Sequence, residues 1–184
     1  MSAPLLPDAL AAAVREIELH VAASGWDQPP RLFALADTAF LLAEEPQLAE
    51  QLGGATAGTI TSIEQEELPQ TPLPELLAGL GWSDEVSGCA LVLELVAVPG
   101  ADDDDAVPDA DQAAWASAHP ERQDMRLAVA VLRDGSRASV LRVRADGANG
   151  ATDPAAGPDG ETIEDTDLAT ELAEALYATL QPSD

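Results

Sequence analysis

The sequence predicts an α+β fold: a five-stranded, mainly antiparallel sheet with the N- and C-terminal helices packed on it and short helices between the strands. Three observations lead to this prediction. Apolar residues recur at helical spacing near both ends of the chain, an apolar run covers 88–98, and an Asp134-Gly135 step separates two strand-like runs. The 184 residues suit one domain, so we expect a single domain over 1–184.

The first helix is expected over 9–23, because Leu10, Val14, Ile17 and Val21 form one apolar stripe that ends before Gly25. The run 88–98 is apolar on both faces, which is typical of a strand covered on both sides. The glutamates that end 59–66 indicate an edge strand. The remaining expected elements are a strand at 31–36, helices at 38–45 and 46–52, short helices at 74–81 and 111–118, and a last helix at 167–180 capped by Asp165 or Thr166.

The segments 125–133 and 136–144 are expected to form a hairpin. Asp134-Gly135 predicts a two-residue type I′ turn, which needs positive φ angles at both central residues. In that register Val129 faces Val140 and Leu127 faces Arg142. Both faces of the hairpin are apolar in the middle, so both need cover from helices or from a partner.

Two segments are expected to be mobile. One is the acidic loop 99–111, and the other is the insertion 145–160, which is rich in Gly, Asp, Pro and Ala. The loop does not match an EF-hand calcium site, because no glycine follows Gly100 and no glutamate closes the loop. We therefore expect diffuse attraction of cations there and no specific metal site.

Charge is the strongest compositional signal. The chain has 34 acidic residues against 8 basic ones, all arginine, which gives a net charge of -26. Such a field repels nucleic acids and anionic membranes and attracts basic protein segments. Alternatively, the acidic composition serves solubility or reflects a compositional bias of the source proteome.

Other features narrow the class of protein. No apolar run reaches the ~18–20 residues of a membrane span, and no basic region precedes an apolar one at the N-terminus, so we expect a cytoplasmic protein. Cys89 is the only cysteine, which rules out an internal disulfide or a cysteine zinc site. Within an apolar strand, Cys89 is expected to be a small buried residue and not a reactive thiol.

Two stretches of the sequence carry a family resemblance. The first is Gly25-Trp26-Asp27-Gln28-Pro29-Pro30-Arg31-Leu32-Phe33-Ala34-Leu35. The second is His119-Pro120-Glu121-Arg122 through Arg126 to Leu132-Arg133-Asp134-Gly135. Together they resemble an actinobacterial family that has a locus-tag name and no assigned function. The resemblance implies an actinobacterial, cytoplasmic origin and carries over no catalytic residues. Separately, the element order and acidity are similar to those of type III secretion chaperones, although no motif is shared and the helices between the first strands differ.

The tryptophans and histidines are the side chains with alternative roles. Trp26 and Trp82 each follow a glycine after a helix, where packing against the last helical turn is favoured over facing a ligand. Trp115 anchors the acidic loop or belongs to a binding surface. His20 is expected to form a solvated ion pair with Glu16 one turn back. His119 precedes a proline in a loop, so a structural role is favoured over catalysis.

Six of the eight arginines lie between Arg122 and Arg144, where they either pair with the surplus acids or bind an anionic ligand or partner. No nucleophile–base motif, phosphate-binding loop or zinc motif is present, and we expect no cofactor. Two functions remain open: a non-catalytic protein-interaction domain, chaperone- or adaptor-like, or a small-molecule-binding or enzymatic domain with a site near Trp26, His119, Arg122 and Arg126. The candidate binding surface comprises Trp26, Asp27, Arg31, His119, Arg122, Arg126 and Arg142.

The expected partner is another protein, most simply a second copy of the chain. Apolar sheet faces would be costly to leave in water, and a two-fold dimer is a common solution. The contact is expected to centre on Val129, Val140 and Arg142, away from the acidic loop.

Overall fold

The computed structural model describes residues 8–51, 58–66, 68–98, 114–115, 118–144 and 162–181. Within these ranges the chain forms an open antiparallel sheet of six strands and four α-helices, so the predicted α+β class is confirmed and the predicted strand number is one too low. The elements are α1 (Ala9–Ala22), β1 (Arg31–Asp37), α2 (Thr38–Glu44), a 3-10 turn (Pro46–Ala49), β2 (Ile60–Glu64), α3 (Leu73–Ala78), β3 (Gly88–Ala97), β4 (Gln123–Leu132), β5 (Arg137–Val143), β6 (Thr162–Asp165) and α4 (Thr170–Thr179).

The strands lie in the order β2-β1-β3-β4-β5-β6, and every neighbouring pair is antiparallel. β3 and β4, with 10 residues each, occupy the middle of the sheet. The first six residues of β3 are buried, which confirms the strand expected at 88–98 as a central one. β2 lies at an edge, as the glutamates at its end indicate.

Two helical layers cover the sheet from opposite sides. The apolar stripe of α1 packs on one face, against a cluster that includes Ala128, Ala130 and Val140. α4 and α3 pack on the other face, against a cluster that includes Leu91, Val129 and Val131. The terminal helices therefore cover the sheet as predicted, one on each face. Val129 and Val140 are buried in these two cores, so neither side chain is accessible to the dimer contact predicted around them.

The β4–β5 hairpin differs from its prediction by one residue in register. Gly135 has φ +88, whereas Asp134 lies outside the positive-φ region, and the N–H of Gly135 donates to the carbonyl of Leu132 at 3.0 Å. The connection is thus a three-residue loop with glycine in the left-handed position, and not a type I′ turn. Ala128 pairs with Val140, and Arg126 pairs with Arg142. A one-residue shift exchanges the two faces of a strand, so the predicted faces of β5 are reversed relative to β4.

β6 is the strand that the sequence analysis missed. It has four residues, all exposed, and only Ile163 among them is apolar, so neither alternation nor length marks it as a strand. It pairs with β5 and is tied to α1 by Arg15, whose Nε and Nη2 donate to Glu164 at 2.7 and 2.6 Å. This hydrogen bond lowers the pKa of Glu164 from its usual value. Because β6 takes Asp165, α4 begins at Thr170 and neither Asp165 nor Thr166 caps it.

The segments 99–111 and 145–160, which the sequence predicts to be mobile, lie outside the described residues. Of the short helix expected at 111–118, residues 114, 115 and 118 are described, and they are helical. None of the described helices has both the length and the apolar character needed to cross a lipid bilayer.

Candidate functional site

The register of the hairpin places Arg126 and Arg142 opposite each other on the face covered by α1. Glu18 of α1 lies between them. Its carboxylate accepts hydrogen bonds from Nε and Nη2 of Arg142 at 2.7 Å each, and Nη1 of Arg126 lies 3.6 Å from Glu18 Oε1. Glu18 and Arg126 are each 1% exposed. The sheet therefore buries two guanidinium groups against one helix carboxylate.

Glu94 of β3 supplies the second carboxylate. Nη2 of Arg126 donates to Glu94 Oε1 at 3.2 Å and also to the carbonyl of Gly25. The backbone N–H groups of Asp27 and Gln28 donate to the two oxygens of Glu94 at 2.9 and 3.3 Å. Glu94 thus joins the central sheet to the loop that follows α1. We call the group Glu18, Glu94, Arg126 and Arg142 the buried ion cluster.

The loop over this cluster has an unusual backbone. Gly25 has φ +86, and Asp27 has φ +65, which is the only positive φ of a non-glycine residue within the described ranges. This left-handed geometry turns the loop back so that the amide of Asp27 faces Glu94. Trp26 then lies with its ring centroid 4.4 Å from the guanidinium carbon of Arg126 and 5.4 Å from that of Arg144. The structure therefore favours packing over a free ligand-facing indole for Trp26.

The cluster balances two carboxylates against two arginines, so it is neutral as a group. Burial strengthens such pairs and makes each lost partner costly. Nε of Arg126 is buried and has no hydrogen-bond partner in the structure. With Arg126 enclosed and its Nη groups engaged, the arrangement is suited to fixing α1, the 25–28 loop and three strands in one geometry.

The structure brings four residues of the predicted surface together here: Trp26, Asp27, Arg126 and Arg142. The others are linked less closely or lie elsewhere. Nη1 of Arg31 is 3.4 Å from Glu64, and Nε of Arg122 is 3.8 Å from Asp124, which also contacts Arg144 at 3.3 Å.

His119 contacts a different group of residues. Its ring centroid is 5.1 Å from that of Trp115, and its Nδ1 accepts a hydrogen bond from the N–H of Glu121 at 3.2 Å.

The sequence analysis did not include Glu18 or Glu94 in the site, although the sequence contained a signal for each. Glu18 lies four residues after Val14 and three before Val21, so it falls on the apolar stripe of α1. Glu94 is the one charge within an otherwise apolar strand. An acid on a buried face requires a partner cation, and the arginines of the hairpin were the available ones.

Three further expectations have clear outcomes. His20 pairs with Glu64, at 3.0 Å between Nε2 and Oε2, and not with Glu16 as predicted. Trp82 has the expected packing role, but the prediction named the last turn of the preceding helix, whereas its Nε1 donates to Thr179 of α4 at 3.0 Å. Cys89 is fully buried, which confirms its expected burial, and this burial raises the pKa of its thiol to about 11.

A partly exposed apolar surface lies on the sheet face that carries α4. Leu95 pairs with Met125, and Met125 pairs with Val143, so these three side chains form a row across β3, β4 and β5. In the next row Leu141 pairs with Ile163. Leu95 is 39% and Ile163 41% exposed, and the other three are half-buried. We call these five residues the distal patch.

Within the described ranges, no three His, Cys, Asp or Glu side chains are arranged to hold a metal ion. The fold and the site thus define a class: an α+β domain with an open antiparallel sheet, a buried ion cluster and a partly exposed apolar sheet face. The model of the PPA1309-like protein family matches residues 10–181, and the chain belongs to that family. This agrees with the resemblance to a family bearing a locus-tag name. No curated protein and no solved structure matches the chain.

Proposed function

We propose that this chain is a non-catalytic, acidic protein-interaction domain, adaptor- or chaperone-like, that binds an apolar and basic segment of a partner protein. The observation that carries the proposal is the distal patch. Leu95, Met125 and Val143 are neighbours on one sheet face; Leu95 is 39% exposed and the other two are half-buried. Contiguous apolar surface of this kind is typical of protein-binding sites.

The charge of the sequence that follows the patch strands supports a basic partner. β3 continues into 99–113, and β5 continues into 145–161. By sequence these two segments carry ten acidic residues, no basic residue and one large apolar residue, Val107. With a net charge of -26, the domain attracts cationic segments and repels acidic ones. A second copy of the chain would bring like charges together, so a different protein is favoured over the homodimer.

The alternative function, a small-molecule or enzymatic site near Trp26, His119, Arg122 and Arg126, has less support. Arg126 is 1% exposed and holds Glu18, Glu94 and Gly25, so its guanidinium is not presented to a ligand. His119 contacts Trp115 and not the buried ion cluster. The proposal extends to a cytoplasmic location and an actinobacterial source, which fit an acidic chain without an apolar span among its described helices.

The test uses two helical probe peptides that share one leucine face and carry either arginine or glutamate on the other face. We expect the wild-type protein to bind the leucine–arginine peptide by fluorescence anisotropy and not the leucine–glutamate one. Leu95→Ser and Ile163→Ser should each weaken binding by roughly tenfold, since each removes apolar contact area worth about 1.5 kcal/mol. Leu19→Ser is the matched control, because Leu19 is an exposed leucine of α1 on the opposite side of the sheet.

Equal binding by the Leu95 and Leu19 variants would overturn the proposal. Sedimentation velocity of the unliganded protein tests whether a second copy of the chain occupies the patch instead. A dimer that Leu95→Ser dissociates would show that the patch binds a second copy and would contradict a heterologous basic partner.

A further inference from the structure

We infer that the outer edge of β2, together with the groove at its end, binds an extended basic segment of a partner as an added strand. This second binding site is independent of the distal patch, since β2 lies at the opposite edge of the sheet from β6.

The hydrogen-bond register shows which backbone groups of β2 face outward. The N–H of Gln65 donates to the carbonyl of Leu32 at 2.9 Å, and the N–H of Thr38 donates to that of Thr59 at 3.1 Å. Hydrogen-bonded pairs alternate along an antiparallel ladder, so Thr61 and Ile63 direct their backbone groups toward β1. The N–H and C=O groups of Ile60, Ser62 and Glu64 consequently point away from the sheet.

Among the described strands, none lies beside these outward groups, because β2 is terminal in the sheet. Ser62, Ile63 and Glu64 are exposed, and the strand contains no proline, lysine or arginine. Natural sheets commonly protect an edge with prolines, lysines or a bulge. An edge lacking these features is suited to pairing with an extended peptide, whose main chain supplies the hydrogen bonds.

The edge leads into a groove of about 650 Å3, which residues 28–31 line on one side and residues 64–66 and 68–70 on the other. Pro29, Pro30, Leu68 and Pro69 form apolar parts of its wall. Glu64 and Glu66 contribute carboxylates, and Glu66 forms no ion pair with another described residue. An arginine or lysine can lay its aliphatic stem on the prolines while its charged end reaches Glu66. The groove therefore favours a basic residue next to the added strand.

Charge also decides between a partner segment and a second copy of the chain. Pairing β2 with β2 of another molecule would bring a second field of -26 to an edge that already carries Glu64 and Glu66. Like charges across paired strands are destabilising. A basic segment instead neutralises these carboxylates, so it is the occupant to which we commit.

The experiment uses a probe peptide in which valine alternates with threonine and arginine, with a matched peptide that has glutamate in place of arginine. Ser62→Pro removes an outward N–H without removing a hydrogen bond to β1, and Ser62→Ala is its control. Glu66→Gln removes the groove carboxylate, and Glu75→Gln removes an exposed acid outside the groove.

We expect the arginine peptide to bind and the glutamate peptide not to bind. Ser62→Pro should weaken binding by roughly tenfold and Glu66→Gln by roughly threefold to tenfold, with both controls near wild type. In NMR hydrogen exchange, the amides of Ser62 and Glu64 should become protected at saturating peptide. Unchanged affinity in Ser62→Pro, or unprotected amides at saturation, would overturn the inference. Leu95→Ser tests the distal patch separately and should not affect this peptide.

Discussion

Glu18 of α1 and Arg142 of β5 form a bidentate ion pair, with two N–O distances of 2.7 Å, although both side chains lie in the protein core. Arg126 contacts the same carboxylate from β4 at 3.6 Å. One acid thus contacts both of the arginines that the sheet places beneath the helix, and Glu94 supplies the second carboxylate. The stability of the sheet should depend on this acid more than on any exposed one.

Glu18→Gln should lower the free energy of unfolding by about 3–5 kcal/mol, because it leaves Arg142 and Arg126 buried with only Glu94 to compensate them. Urea denaturation followed by circular dichroism measures this change. Glu16→Gln, two residues earlier and exposed, is the control and should change stability by less than about 0.5 kcal/mol. Equal effects of the two variants would contradict a central role for Glu18.

Sequence patterns predicted most elements of the fold and only part of the site. Three local signals each located one element. The apolar stripe from Leu10 to Val21 located α1, the apolar run at 88–98 located β3, and the Asp134-Gly135 step located the hairpin. The hairpin register was not determined by that step, because Asp-Gly fits both a two-residue and a three-residue connection. That one-residue difference decides whether Arg142 and Arg126 share a face. The pairing with Glu18 joins residues 124 positions apart, which no local pattern reveals.

Trp26→Ala should destabilise the protein by about 2 kcal/mol or more, since it removes a ring lying over a desolvated guanidinium and opens the cluster to water. Trp26→Phe retains an aromatic face over Arg126 and should lose less. The thermal unfolding midpoints of the three proteins rank these effects. An unchanged midpoint in Trp26→Ala would show that the ring contributes little to closing the cluster.

Gly88 illustrates a close approach between backbones. A Cβ at this position would lie 2.3 Å from the carbonyl oxygen of Val131 and 2.6 Å from Leu132 Cδ2. Gly88→Ala should therefore force β3 and β4 apart and cost about 1–3 kcal/mol in chemical denaturation. Gly81→Ala is the matched control, because a Cβ there meets no atom within 4 Å. A loss of stability at Gly81 equal to that at Gly88 would rule out the steric explanation.

Cys89 should be unreactive in the native protein. Burial raises the pKa of its thiol to about 11, so almost no thiolate is present near neutral pH. Labelling with a thiol-specific disulfide reagent should be slow without denaturant and rapid in it.

The raised pKa of Cys89 also predicts how the free energy of unfolding changes with pH. In the unfolded protein the thiol ionises from about pH 9, whereas in the native protein it stays protonated up to about pH 11. The contribution of Cys89 to the free energy of unfolding is therefore complete below about pH 9 and declines between about pH 9 and pH 11. Cys89→Ala should remove this component of the alkaline decline. An identical decline in wild type and Cys89→Ala would contradict it.

The separation of Glu18 from Arg142 also has a consequence for synthesis on the ribosome. The helix that holds Glu18 is translated before its partner, which follows 124 positions later. At a typical elongation rate this delay is on the order of ten seconds. During that time the nascent α1 exposes an apolar stripe with an unpaired acid at its centre. We therefore expect α1 to dock fully on the sheet only after β4 and β5 have supplied the arginines that pair with this acid.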